Sequence, residues 1–293
     1  DNRISMTTRR LILVALFAAC TALAQKKAIT LENFRQAGAG PGGVSPLWAP
    51  NGYEFAYTKD GGLHIYQCRE NRSRIAVAKI SELTAAATKD SRPAGRFNWE
   101  NRRVQEQAIQ WSRDSQALLV VQGGDLFWVP ADGSAWKQLT KTEAREEDPK
   151  LSPDGKKVAF RLENDLYVLD VASGQTKRLT ADGSDTILNG RLDWVYPEEL
   201  DLNTAYWWSP DSARIAYLQF DTAKVQVYPQ ADLLRIPALD EPQRYPQAGT
   251  PNSDVRLGVV DLELAKTRWM DLGETRNALL ARVEWMNASE VAV

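Results

Sequence analysis

A repeat of 40 residues, the same tight-turn tetrapeptide near the start of each copy, and ten tryptophans among 293 residues predict an all-β fold: a β-propeller of four-stranded antiparallel blades. Residues 111–140, WSRDSQALLVVQGGDLFWVPADGSAWKQLT, align without a gap over residues 151–180, LSPDGKKVAFRLENDLYVLDVASGQTKRLT. Ser112 lies over Ser152, Asp114 over Asp154, Asp125-Leu126 over Asp165-Leu166, and Leu139-Thr140 over Leu179-Thr180. Further copies start at Leu47 (LWAPNGYEFAYTKDGGLHIYQ) and Trp207 (WWSPDSARIAYLQFD), and another begins at Val283 and is cut off by the chain end.

Each copy reads as four strands. An apolar strand end (Trp48, Trp111, Leu151, Trp208, Trp285) precedes a Ser-Pro-Asp-Gly type turn, in which Pro fixes φ and Gly or Asp tolerates the bend. An alternating strand follows, such as Lys157-Val158-Ala159-Phe160, then a short turn and a third strand, Leu166 to Leu169. A Ser-Gly turn leads to a fourth strand ending Arg178-Leu179-Thr180. One large ring per blade is expected to pack between neighbouring sheets. Helical periodicity is nearly absent beyond the N-terminus. A two-sheet sandwich is the alternative, but it would not need the same turn chemistry at a fixed spacing. The anchors Trp48 to Trp111, Leu151 to Trp208, and Trp208 to Trp285 are further apart than one blade, so insertions are expected there. The one between Asp182 and Tyr206 is expected to form a short helix that starts near Pro197, with Glu198 and Glu199 at its positive end.

Hydrophobic residues at 43% and charged residues at 25% fit a globular chain and exclude disorder as the main state. Lys+Arg 36 against Asp+Glu 38 leaves no basic field for nucleic acid. The single histidine, His64, excludes a His-rich metal site and is expected to be a structural strand residue. No cofactor or metal motif is found: Gly40-Pro41-Gly42-Gly43 lacks the spacing of a phosphate loop, and the acids lack calcium-loop spacing. Arg145-Glu146-Glu147-Asp148 is expected to be a solvated blade edge. Met6 to Ala24 has two arginines, a short apolar run and an Ala-Leu-Ala end, the pattern of a signal peptide for export to the periplasm or the medium; lipidation at Cys20 is the lesser alternative. The expected organisation is residues 1–24 as signal and upstream residues, 25–45 as linker, and 46–293 as partial propeller. Cys68 is then a lone strand cysteine.

The chemistry-bearing stretch is Leu192 to Leu200, LDWVYPEEL. Two neighbouring carboxylates turned toward one cavity would hold a primary ammonium through its three donors. They would reject a blocked amine, because the acids would then be desolvated without a partner. This stretch, followed by WWSPD (207–211), IAYLQFD (215–221) and RYPQAG (244–249), resembles the propeller domain of dipeptidyl peptidase IV-type serine peptidases. The resemblance covers roughly residues 30–293. It implies an eight-bladed parent stacked on an α/β-hydrolase domain, and release of dipeptides after proline or alanine. It assigns Glu198 and Glu199 to the substrate's N-terminal ammonium. Many members carry Glu where this chain has Pro197, a position outside the ligand pair. The family's carbonyl-binding arginine is not placed among Arg92, Arg96, Arg102 and Arg103. The implied partners are peptides with a free N-terminal amine, the chain's own catalytic domain, and a second copy.

No Gly-x-Ser-x-Gly elbow occurs, so no catalytic residue is assigned in this chain, which is expected to be the N-terminal part of a peptidase. With open blade edges, the isolated chain is expected to be insoluble or oligomeric. The competing reading is a non-enzymatic, TolB-like periplasmic binding propeller, which shares the repeated turn but not the DWVYPEE and RYPQAG segments.

Overall fold

The computed structural model describes residues 45–293 apart from 71, 74–76, 89–106, 234–235 and 274–277. The expected signal peptide and the expected linker up to residue 44 lie outside the described residues. The first sheet holds β1 (Leu47–Trp48), β2 (Glu54–Lys59), β3 (Gly62–Gln67) and β4 (Arg72–Ser73), with β5 (Ala78–Lys79) also pairing with β3. The second holds β6 (Ile109–Trp111), β7 (Ala117–Gln122), β8 (Asp125–Pro130) and β9 (Lys137–Gln138). The third holds β10 (Glu146–Leu151), β11 (Lys157–Leu162), β12 (Asp165–Asp170) and β13 (Thr176–Arg178). All their pairings are antiparallel between sequence neighbours, β5 aside.

The fourth sheet departs from this pattern. β14 (Ile187–Asn189) and β15 (Tyr206–Trp208) both pair with β16 (Arg214–Asp221). The chain then leaves the sheet for two small ribbons. β17 (Val227–Tyr228), β18 (Ala231–Asp232), β19 (Leu239–Asp240) and β20 (Gln243–Arg244) pair as β17 with β20 and β18 with β19. It returns as β21 (Asp254–Asp261), which runs along all of β16, and β22 (Lys266–Trp269). A further pair, β23 (Glu284–Trp285) and β24 (Val291–Ala292), follows.

The sheets stack in chain order because successive strand residues point to opposite faces. Leu118 and Val120 of β7 join Ala56, Leu63 and Ile65 of the first sheet in one buried cluster. Their neighbour Leu119 joins Val158 and Phe160 of the third sheet in another. In turn Ala159 of β11 packs with Tyr206, Ile215 and Tyr217 of the fourth. Ala216, Leu218 and Phe220 face the next layer, with Val283 and Trp285. Every middle strand therefore carries two apolar faces, which is why β7, β11 and β16 read as near-continuous apolar runs.

The repeated tetrapeptide makes one repeated hydrogen-bond knot. The hydroxyls of Ser112, Ser152 and Ser209 donate to Asp114, Asp154 and Asp211 at 2.5–2.6 Å. Each hydroxyl oxygen accepts the N–H that opens the next strand, from Ala117, Lys157 and Arg214 at 2.9–3.0 Å. The three carboxyls sit below the ordinary value. The serine bond is the main cause at Asp114 and Asp211; at Asp154 burial is the largest influence and acts the other way, but the Ser152 bond, the Lys156 N–H and the charges of Lys157 and Lys156 together outweigh it. The following residue is left-handed in four copies: Gly52 at φ 72, Ser115 at 60, Gly155 at 72 and Ser212 at 60. Two of these are Gly because only Gly takes that conformation without steric cost.

The paired Asp-Leu and Leu-Thr positions form a second shared device. Thr140 Oγ1 accepts the N–H of Leu126 at 2.9 Å, and Thr180 Oγ1 that of Leu166 at 3.0 Å. Asp165 accepts from Thr180, Arg178 and Asn189 at 2.5–2.9 Å. Burial alone would raise Asp165, yet these donors hold it below the usual carboxylate range.

Two expectations are corrected. Ile80–Ala86 forms a helix, α1, which seats Leu83 in the core between the first two sheets; seven residues with one buried leucine give too little periodicity to read. Residues 145–148 are not a solvated edge. Glu146 and Asp148 are buried in β10, where the chain enters the third sheet. Charge count alone misreads them: Glu146 is met by the nearby Thr142 hydroxyl, and Asp148 by Thr204 and Tyr206 from more than fifty residues on. Cys68 is exposed, one residue past β3.

Candidate functional site

The acid pair lies on α2 (Val195–Glu199), between β14 and β15. The helix does not start at Pro197. Asp193 Oδ1 accepts the N–H groups of Val195 and Tyr196 at 3.0 and 3.2 Å, so the first turn nucleates upstream. Glu198 and Glu199 are consequently the last two helical residues rather than the first. The helix ends because Asp201 adopts a left-handed φ of 56°, after which the Leu202 N–H returns to the Tyr196 carbonyl at 3.2 Å.

Four anchors hold this five-residue helix. Asp193 Oδ2 accepts the Ser253 hydroxyl at 2.6 Å. The Tyr196 hydroxyl accepts the Leu280 N–H at 2.9 Å, and its ring meets Phe220 edge-on at 4.7 Å. Trp194 stands edge-on to Tyr245 at 4.3 Å. Arg282 donates to the Leu200 carbonyl at 3.3 Å. Burial pushes the Asp193 carboxyl up, and lifts the Tyr196 phenol to about 12.

Past the helix the chain is tied to β10. Thr204 donates to Asp148 at 2.8 Å, and the Tyr206 hydroxyl bonds the Asp148 carbonyl. The Lys150 ammonium lies 3.2 Å from Asp148, donates to the Tyr206 carbonyl at 2.8 Å and covers the Tyr206 ring at 3.7 Å. Burial pulls Lys150 down to about 8 despite the Asp148 charge. Glu146 lies nearby in sequence. Its Oε1 accepts the Thr142 hydroxyl at 2.6 Å, and burial, helped by Asp125, lifts it to about 7.

The structure thus brings Glu198 and Glu199 side by side on one element, Glu198 half-buried and Glu199 exposed. Two open depressions of about 390 Å³ each are lined by other residues, one by Trp48 and Trp111, one by Lys157 and Glu263. Arg92, Arg96, Arg102 and Arg103 lie outside the described residues. His64 stacks on Tyr57 at 5.2 Å, with its Nε2 3.2 Å from the Lys59 carbonyl. Among the described residues no group of three or more His, Cys, Asp or Glu could hold a metal ion. The sequence reading missed Asp193, Ser253 and Tyr245 as supports of the helix. An Asp two residues before a helical run is a cap signal; Ser253 and Tyr245 come from the RYPQAG side of the excursion and carry no local sign of this contact.

The family model for the dipeptidyl peptidase IV (DPP IV) N-terminal region matches residues 123–293. The "Probable dipeptidyl-aminopeptidase B" of Uncinocarpus reesii is 25% identical over 288 residues, covering 86% of this chain and 32% of that protein. The protein of the same name from Pyrenophora tritici-repentis is 32% identical over 151 residues, covering 46% of this chain and 17% of that one. The chain therefore spans no more than about a third of these relatives. In fold it is similar to the crystal structure of Porphyromonas gingivalis dipeptidyl peptidase 4, with TM-score 0.69 and 21% identity, covering 91% of this chain and 38% of that one.

Proposed function

Because the chain belongs to the dipeptidyl peptidase IV N-terminal region family, we propose that it is the substrate-recognition part of an exported serine-type dipeptidyl peptidase that cleaves after proline or alanine. In this reading the stacked sheets are blades of a propeller, the nucleophile and its base sit on a hydrolase domain, and Glu198 and Glu199 grip the peptide's N-terminal ammonium. The observation that carries it is the placement of two adjacent carboxylates at the end of a short helix with anchors on several sides. A helix so held can present two charges without losing their geometry to rotamer and backbone freedom. Two carboxylates supply the acceptors that three ammonium hydrogens need, and an acylated amine would leave both acids without a charge partner.

The test is turnover of a free-amine dipeptide anilide by the full-length enzyme. Glu198→Ala or Glu199→Ala is expected to lower kcat/KM at least ~100-fold, equivalent to roughly 3 kcal/mol. Near-normal turnover in both variants would remove the acid pair from the mechanism. A continuing reading frame without a Ser-Asp-His domain would remove the enzyme reading and leave a binding propeller.

A further inference from the structure

The excursion between β16 and β21, residues 222–253, leaves the fourth sheet and comes back to touch the two residues that lead into α2, Asp193 and Trp194, through Ser253 and Tyr245. The geometry points to a clamp: we propose that Ser253 and Tyr245 of the excursion, acting on Asp193 and Trp194, are positioning residues that set the orientation of Glu198 and Glu199 toward the substrate ammonium. This deepens the acid-pair reading and rests on it.

Asp193 is the only side chain that both caps α2 and reaches the excursion among the described contacts of the helix. Its Oδ1 takes the two leading N–H groups and its Oδ2 takes the Ser253 hydroxyl at 2.6 Å. A carboxylate bonded at both oxygens cannot swing about its χ angles, so the first turn of the helix inherits the position of residue 253. Trp194, next in the chain, is fixed by the Tyr245 ring at 4.3 Å. The excursion end is itself rigid. The Tyr245 N–H bonds the Gln226 carbonyl at 2.9 Å, and Arg244 spans to the carbonyls of Thr222 and Val225 at 3.1 and 3.2 Å. Tyr228 adds a second ring contact to Tyr245 at 6.0 Å.

Leverage follows from length. The helix has five residues, and the acids occupy the last two. A short helix has little cooperative interior of its own, so its two acids depend on the contacts that seat its first turn. Misplacing a binding group by about 1 Å can cost on the order of 100-fold in rate. The remaining anchors, Tyr196 and Arg282, hold the helix onto the core from its buried side, so the excursion supplies the restraint on the other side of the same first turn.

The experiment compares a free-amine dipeptide anilide with its desamino analogue in the full-length enzyme. The variants are Asp193→Ala, Asp193→Asn, Ser253→Ala and Tyr245→Leu, with Glu198→Ala and Glu199→Ala alongside. The expected result is a KM for the free-amine substrate raised roughly 10-fold in Asp193→Ala and severalfold in Ser253→Ala and Tyr245→Leu, with a smaller change in kcat. KM for the desamino analogue stays constant, and Asp193→Asn, which keeps an acceptor for the capping N–H groups, recovers most of the loss. If Asp193→Ala fails to fold, Ser253→Ala decides, since it keeps the cap and removes only the tie. Equal losses for both substrates in Ser253→Ala and Tyr245→Leu, or no change in either, would overturn the clamp while loss of free-amine preference in the glutamate variants upholds the acid pair. Full free-amine preference in both glutamate variants would overturn the acid pair, and the clamp with it.

Discussion

The second and third sheets are near copies of one another, whereas the fourth is the same sheet with two pieces of foreign chain spliced into it. In the copies, the tight turn is closed by residues a few positions away, such as Ser152 with Asp154 and Lys157. In the fourth, the turn knot of Ser209 survives unchanged, yet the strands around it are joined through α2 and the excursion. The lesson is a division of labour. The repeat supplies a stiff stack whose interfaces are apolar and interchangeable, and the insertions use that stack as a bench on which a polar element can be fixed. The polar ties cross sequence distance: Asp193 to Ser253, Tyr196 to Leu280, Thr204 to Asp148.

A pair of core truncations tests this division most forcefully. Phe160 lies between the second and third sheets, and Phe220 lies under Tyr196 of α2. Both are fully enclosed, so Phe160→Ala and Phe220→Ala are each expected to cost roughly 3–5 kcal/mol in denaturant unfolding of the full-length protein. Only Phe220→Ala should also raise KM for a free-amine substrate under conditions where both variants remain folded. An equal KM effect from Phe160→Ala would show that stack and bench are not separable.

The next effect concerns pH and belongs to the copied region. Glu146 binds its proton up to about pH 7 in the folded chain, against 4.5 as its ordinary value. Between those limits the folded state holds a proton that the unfolded state has released. The stabilisation is therefore complete below about pH 4.5 and is lost as pH rises through 7. The difference amounts to about 3 kcal/mol. Glu146→Gln keeps an acceptor for the Thr142 hydroxyl and cannot ionise. Its unfolding free energy should be flatter than the parent's between pH 5 and 8, with the variant the more stable at the upper end. A wild-type slope retained in Glu146→Gln would assign the proton uptake elsewhere.

How far the sequence carried depends on how local the cause is. The strand order of the second and third sheets was readable because each turn announces itself within about five residues. The expected large ring between sheets holds at Trp111, Trp208 and Trp285, which pack against buried clusters, but not at Trp48, which is exposed, nor in the third sheet, where Leu151 takes the place. The start of α2 was misread because Pro197 is a stronger local signal than Asp193, although the aspartate's two N–H bonds decide the matter. The burial of Glu146 and Asp148 was not readable at all. A run of charges looks solvated unless one knows that Thr204 and Tyr206, more than fifty residues on, come back to meet Asp148 and Lys150. Glu198 and Glu199 were legible as a motif, while their supports were not.

A smaller effect separates the turn knots. Ser152→Ala removes both the bond to Asp154 and the acceptor for the Lys157 N–H, and Ser209→Ala does the same beside the site. Each is expected to cost roughly 1–2 kcal/mol. Near-identical losses would establish that the fourth sheet keeps the repeat's energetics despite its insertions; a much larger loss at Ser209 would mean that the insertions lean on that turn.

The smallest effects lie in the indole contacts between sheets. Trp111 Nε1 donates to the Leu47 carbonyl at 2.8 Å, Trp208 to Lys150 at 3.1 Å, and Trp285 to Trp207 at 3.1 Å. In each case the acceptor sits just before the matching anchor of the preceding sheet. The third sheet has Leu151 at that position, and there Gln110 crosses instead, donating to the Pro149 carbonyl at 2.6 Å. The bond is therefore a property of the joint rather than of tryptophan. Trp208→Phe and Gln110→Leu should each lower stability by roughly 1 kcal/mol, the net worth of one such hydrogen bond, with the apolar contact kept in the first case. Trp48 is 53% exposed and rests edge-on against Phe55 at 5.2 Å, so Trp48→Phe should change the unfolding free energy by less than about 0.5 kcal/mol. If Trp48→Phe instead costs as much as Trp208→Phe, its indole carries a joint of the same kind in the full-length protein, and the first sheet is not an end of the stack.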